Sequence, residues 1–223
     1  MKLTPAQALL RALVATLFFC SAPACVRAVE MNAYTLGVAR LGMASIGVLA
    51  VLLWQRKLTP GEISRWPARA WQAMLAVGLM FGLHWLLFFL SIKWANATIG
   101  AIGFSSYGIQ LLLLGWILGF GRVTPIDVGA FLLAIVGTLL LVPEFSFANE
   151  QTLGLFVGIA SGLAAATLPL LHQHFADVDN NLRTWGQFTF GIPVFCVFYP
   201  ELHWNVPPGD WLLVLYLGFG IAL

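Results

Sequence analysis

Apolar residues gather into long runs along this chain, and polar residues are confined to short gaps between them. Seven runs stand out: Ala8–Val26, Tyr34–Trp54, Gln72–Ile92, Ala97–Gly119, Ile126–Val142, Leu153–Leu171 and Thr184–Tyr199. The hydrocarbon core of a bilayer takes roughly 20 apolar residues of helix, and each run meets or approaches that length. An eighth begins at Trp211 and reaches Leu223 after thirteen residues, too few to cross, so the chain reads as ending within the bilayer. The gaps carry loop chemistry, as in Lys57-Leu58-Thr59-Pro60-Gly61, Arg122-Val123-Thr124-Pro125 and Pro207-Pro208-Gly209-Asp210. The spans must be helices, because an open sheet leaves its backbone unsatisfied in lipid. The expected fold is therefore an all-α polytopic membrane bundle.

Charge sets the orientation, since Lys and Arg collect in cytoplasmic loops. With the N-terminus in the cytoplasm, the inner side holds Lys2, Arg11, Arg56, Lys57, Arg65, Arg69, Arg122 and Arg183. The outer side holds Arg27 and Lys93, together with Glu30, Glu144, Glu150, Glu201 and Asp210. The first run has a second reading. Lys2 and Arg11, an apolar stretch and Ala22-Pro23-Ala24 also resemble a cleavable signal peptide, and cleavage would leave every later helix with the same orientation.

Composition agrees with the runs. Of 223 residues, 60% are hydrophobic and 9% charged, which excludes an ordinary soluble globule. A net charge of +2, with its basic residues scattered, gives no footprint for nucleic acid. Cys20, Cys25 and Cys196 lie in apolar runs without a CxxC pair, so no disulfide framework or zinc site is indicated. His172-Gln173-His174 places two imidazoles at i, i+2, pointing apart on a helix, and offers no third ligand. No cofactor and no metal is expected.

A weak internal repeat is visible. Pro23 and Pro169 lie 146 positions apart; Glu30 and Asp177, and Arg40 and Gln187, lie 147 apart; Trp71 and Trp211, and Gly78 and Gly218, lie 140 apart. Five spans separate the equivalents, and an odd number inverts the second unit in the membrane, the arrangement common in secondary transporters. The expected units are residues 1–143, with five helices, and 144–223, with two helices and the start of a third.

The chain resembles EamA-like members of the drug/metabolite transporter superfamily. The resemblance rests on Phe18-Phe19-Cys20-Ser21-Ala22-Pro23, on Ala39-Arg40, on Phe88-Phe89-Leu90-Ser91-Ile92-Lys93 through Ser105-Ser106-Tyr107, and on Gly119 to Pro125 followed by Gly129 and Gly137-Thr138. It departs at Gly121, where many members carry Glu. The resemblance implies a ten-helix inverted-repeat carrier of small metabolites such as amino acids, with both termini cytoplasmic and a central cavity lined partly by the third and fourth helices.

Ionisable groups inside spans are functional candidates by default. His84 is the one titratable side chain near the middle of a complete span. It shares a helix face with Phe81, Phe88 and Ser91, and Trp85 is adjacent. On the next span Gly103, Ser106, Tyr107 and Gln110 share a second polar face. Two readings apply to both faces: a pocket with aromatic walls and a few orienting polar groups, or polar contacts that hold helices together. On the pocket reading the substrate-binding residues are His84, Trp85, Ser106, Tyr107 and Gln110, with Ser21 and Ser161 opposite. Arg40 either holds an anionic substrate group or pairs with Glu30 or backbone carbonyls. Gly154, Gly158, Gly162 and Ala166 form a small-residue ridge, as do Ala130, Ala134 and Thr138, and such ridges let helix backbones approach closely.

These features predict a secondary carrier of small amino-acid-like or amphipathic metabolites working by alternating access in the cell membrane, the inner membrane in a bacterium. Its partners would be a small-molecule substrate and the lipid bilayer, with a homodimer as an admissible assembly. The other classes are a non-transporting remnant or subunit of a membrane assembly, and an intramembrane enzyme with His84 as general base. The enzyme class lacks a positioned nucleophile or acid, so no catalytic residue is named.

Overall fold

A computed structural model describes residues 4–56, 60–141 and 149–220. Lys2, Lys57, Glu144 and the expected unit boundary at 143–144 lie outside the described residues, as do the side chains of Arg11 and Thr138. The described residues form helices and turns, with no strand among them. The order is α1 (Pro5–Ala28), α2 (Ala33–Trp54), the short α3 (Pro60–Ile63), α4 (Ala68–Trp94), α5 (Ala97–Ser105), α6 (Tyr107–Ile117) and α7 (Pro125–Leu141). There follow α8 (Glu150–His174), α9 (Asn180–Thr189), α10 (Ile192–Cys196), a 3₁₀ turn (Tyr199–Glu201), α11 (Pro208–Leu215) and a π-turn (Tyr216–Gly220).

Local chemistry sets the helix starts. Thr4 and Gln7 form a capping box ahead of Pro5, with Thr4 N donating to Gln7 Oε1 at 3.0 Å. Asn32 accepts from Thr35 N at 2.9 Å, Asn96 from Ile99 N at 2.9 Å, and Asn149 from Gln151 N at 2.9 Å. Asp179 caps α9 by accepting from the Asn181 and Leu182 amides.

Among the described residues, four helices are long and apolar enough to cross a bilayer: Ala33–Trp54, Ala68–Trp94, Ala97–Ile117 and Glu150–His174. Leu13–Ala28 and Pro125–Ala134 are shorter apolar stretches. The expected run Thr184–Tyr199 is not one helix. It breaks at Phe190–Gly191 between α9 and α10, because Pro193 supplies no amide to the helical ladder. The fourth run also breaks, at Ser106. Ser105 Oγ donates to Ile102 O at 2.7 Å and Ser106 Oγ to Gly103 O at 2.6 Å, hydroxyl bonds that compete with the ladder at that point. The eighth run passes from α11 into the π-turn.

α4 lies at the centre. Gly154 of α8 meets Ala95, Ser161 meets His84, and Asp177 meets Arg69, so α8 runs antiparallel to α4 along its whole length. Gly78 and Gly82 meet Gly186, Phe190 and Gly191, so α9 and α10 run parallel to α4. α2 is antiparallel to that broken span, with Thr35 bonded to the His203 amide, Ser45 to Thr189 and Gln55 to Asn181. These pairings gather the loops alternately at two ends. One end joins Arg27 to Lys93 O (3.1 Å) and Asp210 to the Glu30 amide (2.7 Å). The other joins Arg69 to Asp177 (2.6 Å).

The glycine ridge of α8 works as expected. A Cβ on Gly154 would lie 2.6 Å from Ala95 Cβ, and one on Gly158 would lie 3.1 Å from Gly103 Cα. The ridge expected on α7 does not, since Ala130 and Ala134 are exposed and α7 lies at the periphery. Leu13, Leu17, Ile46, Leu132 and Leu133 present apolar surface outward, which suits lipid as the surrounding solvent.

Candidate functional site

The polar faces of spans three and four both turn onto α8. His84 is buried, and its Nδ1 lies 2.9 Å from Ser161 Oγ and 3.2 Å from Ser161 O. Ser161 Oγ lies 2.9 Å from His84 O. A carbonyl only accepts, so Nδ1 carries a proton and the Ser161 hydroxyl gives its own proton to His84 O. Seven residues further along α4, Ser91 Oγ donates to Gly154 O at 2.6 Å. From α6, Gln110 Nε2 donates to Ile159 O at 3.1 Å, while its buried Oε1 has no partner among the described residues. A Cβ on Gly162 would lie 2.8 Å from that Oε1 and 3.1 Å from Ser106 Oγ, so α8 is glycine where these two side chains press on it. Tyr107 stacks on Phe104, with ring centroids 5.8 Å apart.

A second group forms where α1, α2, α4 and the π-turn meet. Arg40 is 2% exposed. Its Nε donates to Leu217 O at 3.0 Å, and its Cζ lies 3.5 Å above the centre of the Trp85 ring. Of the two partners expected for it, the backbone carbonyl is the one found. Glu30 is elsewhere, its amide held by Asp210. The carbonyl belongs to the π-turn, where the i→i+4 ladder is interrupted. Arg40 Nη1 and Trp85 Nε1 are buried without a partner among the described residues. Ser21 Oγ lies 2.7 Å from Tyr216 Oη and 2.6 Å from Phe18 O, so Ser21 joins this second group.

Aromatic rings connect the two groups. His84 lies 5.0 Å from Trp85 and 5.2 Å from Phe104, and Phe19 sits 6.3 Å from Trp85 and 6.1 Å from Phe104. The structure thus brings His84, Ser161, Ser106, Tyr107 and Gln110 around α8, and Arg40, Trp85 and Ser21 around the π-turn. Sequence reasoning missed Tyr216, Leu217, Phe19 and Phe104. Their roles depend on which helices face one another, and no spacing within the chain encodes that.

Two clefts lie away from these groups. One, of about 550 Å³, runs between Leu114–Phe120 and Thr167–His174, and another of about 360 Å³ lies beside Arg69 and Asp177. At the latter, Arg69 also donates to His174 O at 2.7 Å and lies over Phe175. The Arg69 guanidinium holds the Asp177 carboxyl below the usual carboxylate range. His172 is bound to Gln187 (3.1 Å) and Arg183 rather than poised for a metal. Among the described residues no three potential ligands cluster.

Buried polar groups are thus set among aromatic rings, beside breaks in the helices at Ser106 and Tyr216–Gly220. Comparison with known proteins gives the family. A solved crystal structure, titled only as that of a protein, shares the fold at a TM-score of 0.67 and 20% identity, over 98% of this chain and 77% of the other. No curated protein matches the chain. The model of the EamA-like transporter family matches residues 6–142, taking in all of α2 to α7 and all but the first residue of α1. On that match, and on its apolar helices, the chain is a multi-pass membrane protein of the EamA-like transporter family.

Proposed function

We propose that this chain is a secondary carrier of small amino-acid-like or amphipathic metabolites. It works by alternating access between two inverted units, residues 1–143 and 144–223, in the cell membrane with its N-terminus in the cytoplasm. Substrate is handled along the seam where α4, α5 and α6 meet α8 and where α2 meets the π-turn. One observation carries the reading: two interrupted spans, at Ser106 and at Tyr216–Gly220, flank the same buried polar and aromatic seam. Interrupted helices are how carriers bring free backbone groups to a binding site at membrane depth.

The expected site is His84, Trp85, Ser106, Tyr107 and Gln110, with Ser21, Ser161 and Arg40 completing it. His84, Gln110 Oε1 and the hydroxyls orient cargo through hydrogen bonds, and the Phe19, Trp85 and Phe104 rings give it an apolar wall.

The test is uptake and efflux of labelled amino acids and aromatic metabolites by vesicles that contain the protein. His84→Ala, Tyr107→Ala and Gln110→Ala together should abolish saturable flux while the protein stays in the membrane. Full flux in that triple variant would refute the site.

A further inference from the structure

We propose that Arg40 and Trp85 form a receptor for the carboxylate of a monoanionic solute. This rests on the carrier reading and specifies the charge of its cargo. An isolated buried charge is costly unless it is paired, and Arg40 is 2% exposed. Its contacts are one hydrogen bond to Leu217 O, the face of Trp85 at 3.5 Å, and Phe89 at 5.9 Å. No carboxylate joins it among the described residues. Asp210 is engaged by the Glu30 and Met31 amides, and Asp177 by Arg69.

Two donors are left over at the same place, Arg40 Nη1 and Trp85 Nε1, both buried and without a partner among the described residues. Because the guanidinium is stacked on the indole, these donors are near neighbours. A carboxylate offers two acceptor oxygens and one negative charge, which matches two donors and one cation. A phosphate dianion would leave one charge unbalanced. Arg40 also lies about 10 Å along α2 from its first residue, Ala33, which is below the level of lipid headgroups. The anion must therefore arrive on a solute. Aromatic side chains around the pair, Phe19 against Trp85 and Phe18 against Tyr216, suit an apolar body behind that carboxylate.

The test uses the full chain in neutral phosphatidylcholine vesicles. Equilibrium binding is measured with labelled phenylacetate and with phenylacetamide, its uncharged analogue. Phenylacetate should bind at least tenfold more tightly. Arg40→Gln should bring that ratio to about one, and Arg40→Lys should keep part of it. Trp85→Phe retains a ring beneath the guanidinium and removes only the Nε1 donor, so it should lower the ratio severalfold. It also serves where Arg40→Gln fails to fold.

Equal binding of the two probes, no detectable phenylacetate binding, or a ratio unchanged in Trp85→Phe would overturn the inference. So would displacement of phenylacetate by lower concentrations of inorganic phosphate, or by phosphatidylglycerol added to the vesicles. Phenylacetate binding without counterflow from preloaded vesicles would count against the carrier reading and leave the receptor standing. Counterflow of both probes alike would do the reverse.

Discussion

Replacing Gly103 by Ala isolates how closely α5 and α8 approach. The added methyl would lie 2.9 Å from Gly158 Cα and 2.9 Å from Leu155 O. Both are backbone atoms, so no side-chain rotation relieves the clash and the two helices must separate. Overpacking of this kind costs about 1–3 kcal/mol. Against it stands the gain of about 0.5–1 kcal/mol that Ala brings over Gly inside a helix. The expected net effect is a loss of about 1–2 kcal/mol. Gly42→Ala in mid-α2 is the matched control, since its added methyl would meet nothing within 4 Å. It should be neutral or stabilising by up to about 1 kcal/mol. The assay is thermal unfolding of each purified variant in detergent, followed by near-UV circular dichroism. Gly103→Ala should melt below the parent and Gly42→Ala at or above it. If Gly103→Ala melts as high as Gly42→Ala, the close approach of α5 to α8 is wrong.

Further outcomes are expected elsewhere. Ser161→Ala removes both of the hydroxyl's contacts with His84 and should cost about 1–2 kcal/mol, at roughly 0.6 kcal/mol on average for each such bond within a membrane; the same melts read it, and an unchanged midpoint would count against the bond. The Asp177 carboxyl is held below its usual range by Arg69, so its stabilising contribution is full above the unfolded value of about 3.9 and fades as pH falls through the lower folded value. Asp177→Asn should therefore lower stability at neutral pH and flatten its acid dependence, and high salt should shrink the difference because the pair is exposed. Cysteines placed at exposed Ser64 and Asn180 should both react with an impermeant thiol reagent from the cytoplasmic side of oriented vesicles, and labelling from opposite sides would break the proposed topology.

The positions of the spans were legible because lipid demands unbroken apolar length, and the runs around α2, α4 and α8 translate directly into helices. The caps at Asn32, Asn96 and Asn149 lie in the polar gaps between those runs. The interruptions were harder. Pro193 follows Gly191 in plain view, but an apolar count passes over both, and the interruption at Ser106 coincides with hydroxyls that turn back on carbonyls one turn earlier. The polar faces of His84 and Gln110 were legible from helical spacing. That both face the glycine ridge of α8 was not, because the ridge and the faces are separated by dozens of residues and only packing joins them. The peripheral position of α7 went unseen for the same reason, since small residues permit close approach without requiring it. Arg40 was visible as a charge in a span, but its stacking on Trp85 depends on how α2 rotates against α4.

The bond between His84 and Ser161 is reciprocal, with each residue's side chain reaching the other's main chain. Sliding α4 along α8 by a single residue would break both links at once, whereas a small tilt about that point would stretch neither much. Ser161 thus marks a fulcrum just short of halfway along α8 from its capped end, and displacement between the two helices grows with distance on either side of it, reaching its widest swing where Arg69 clasps Asp177.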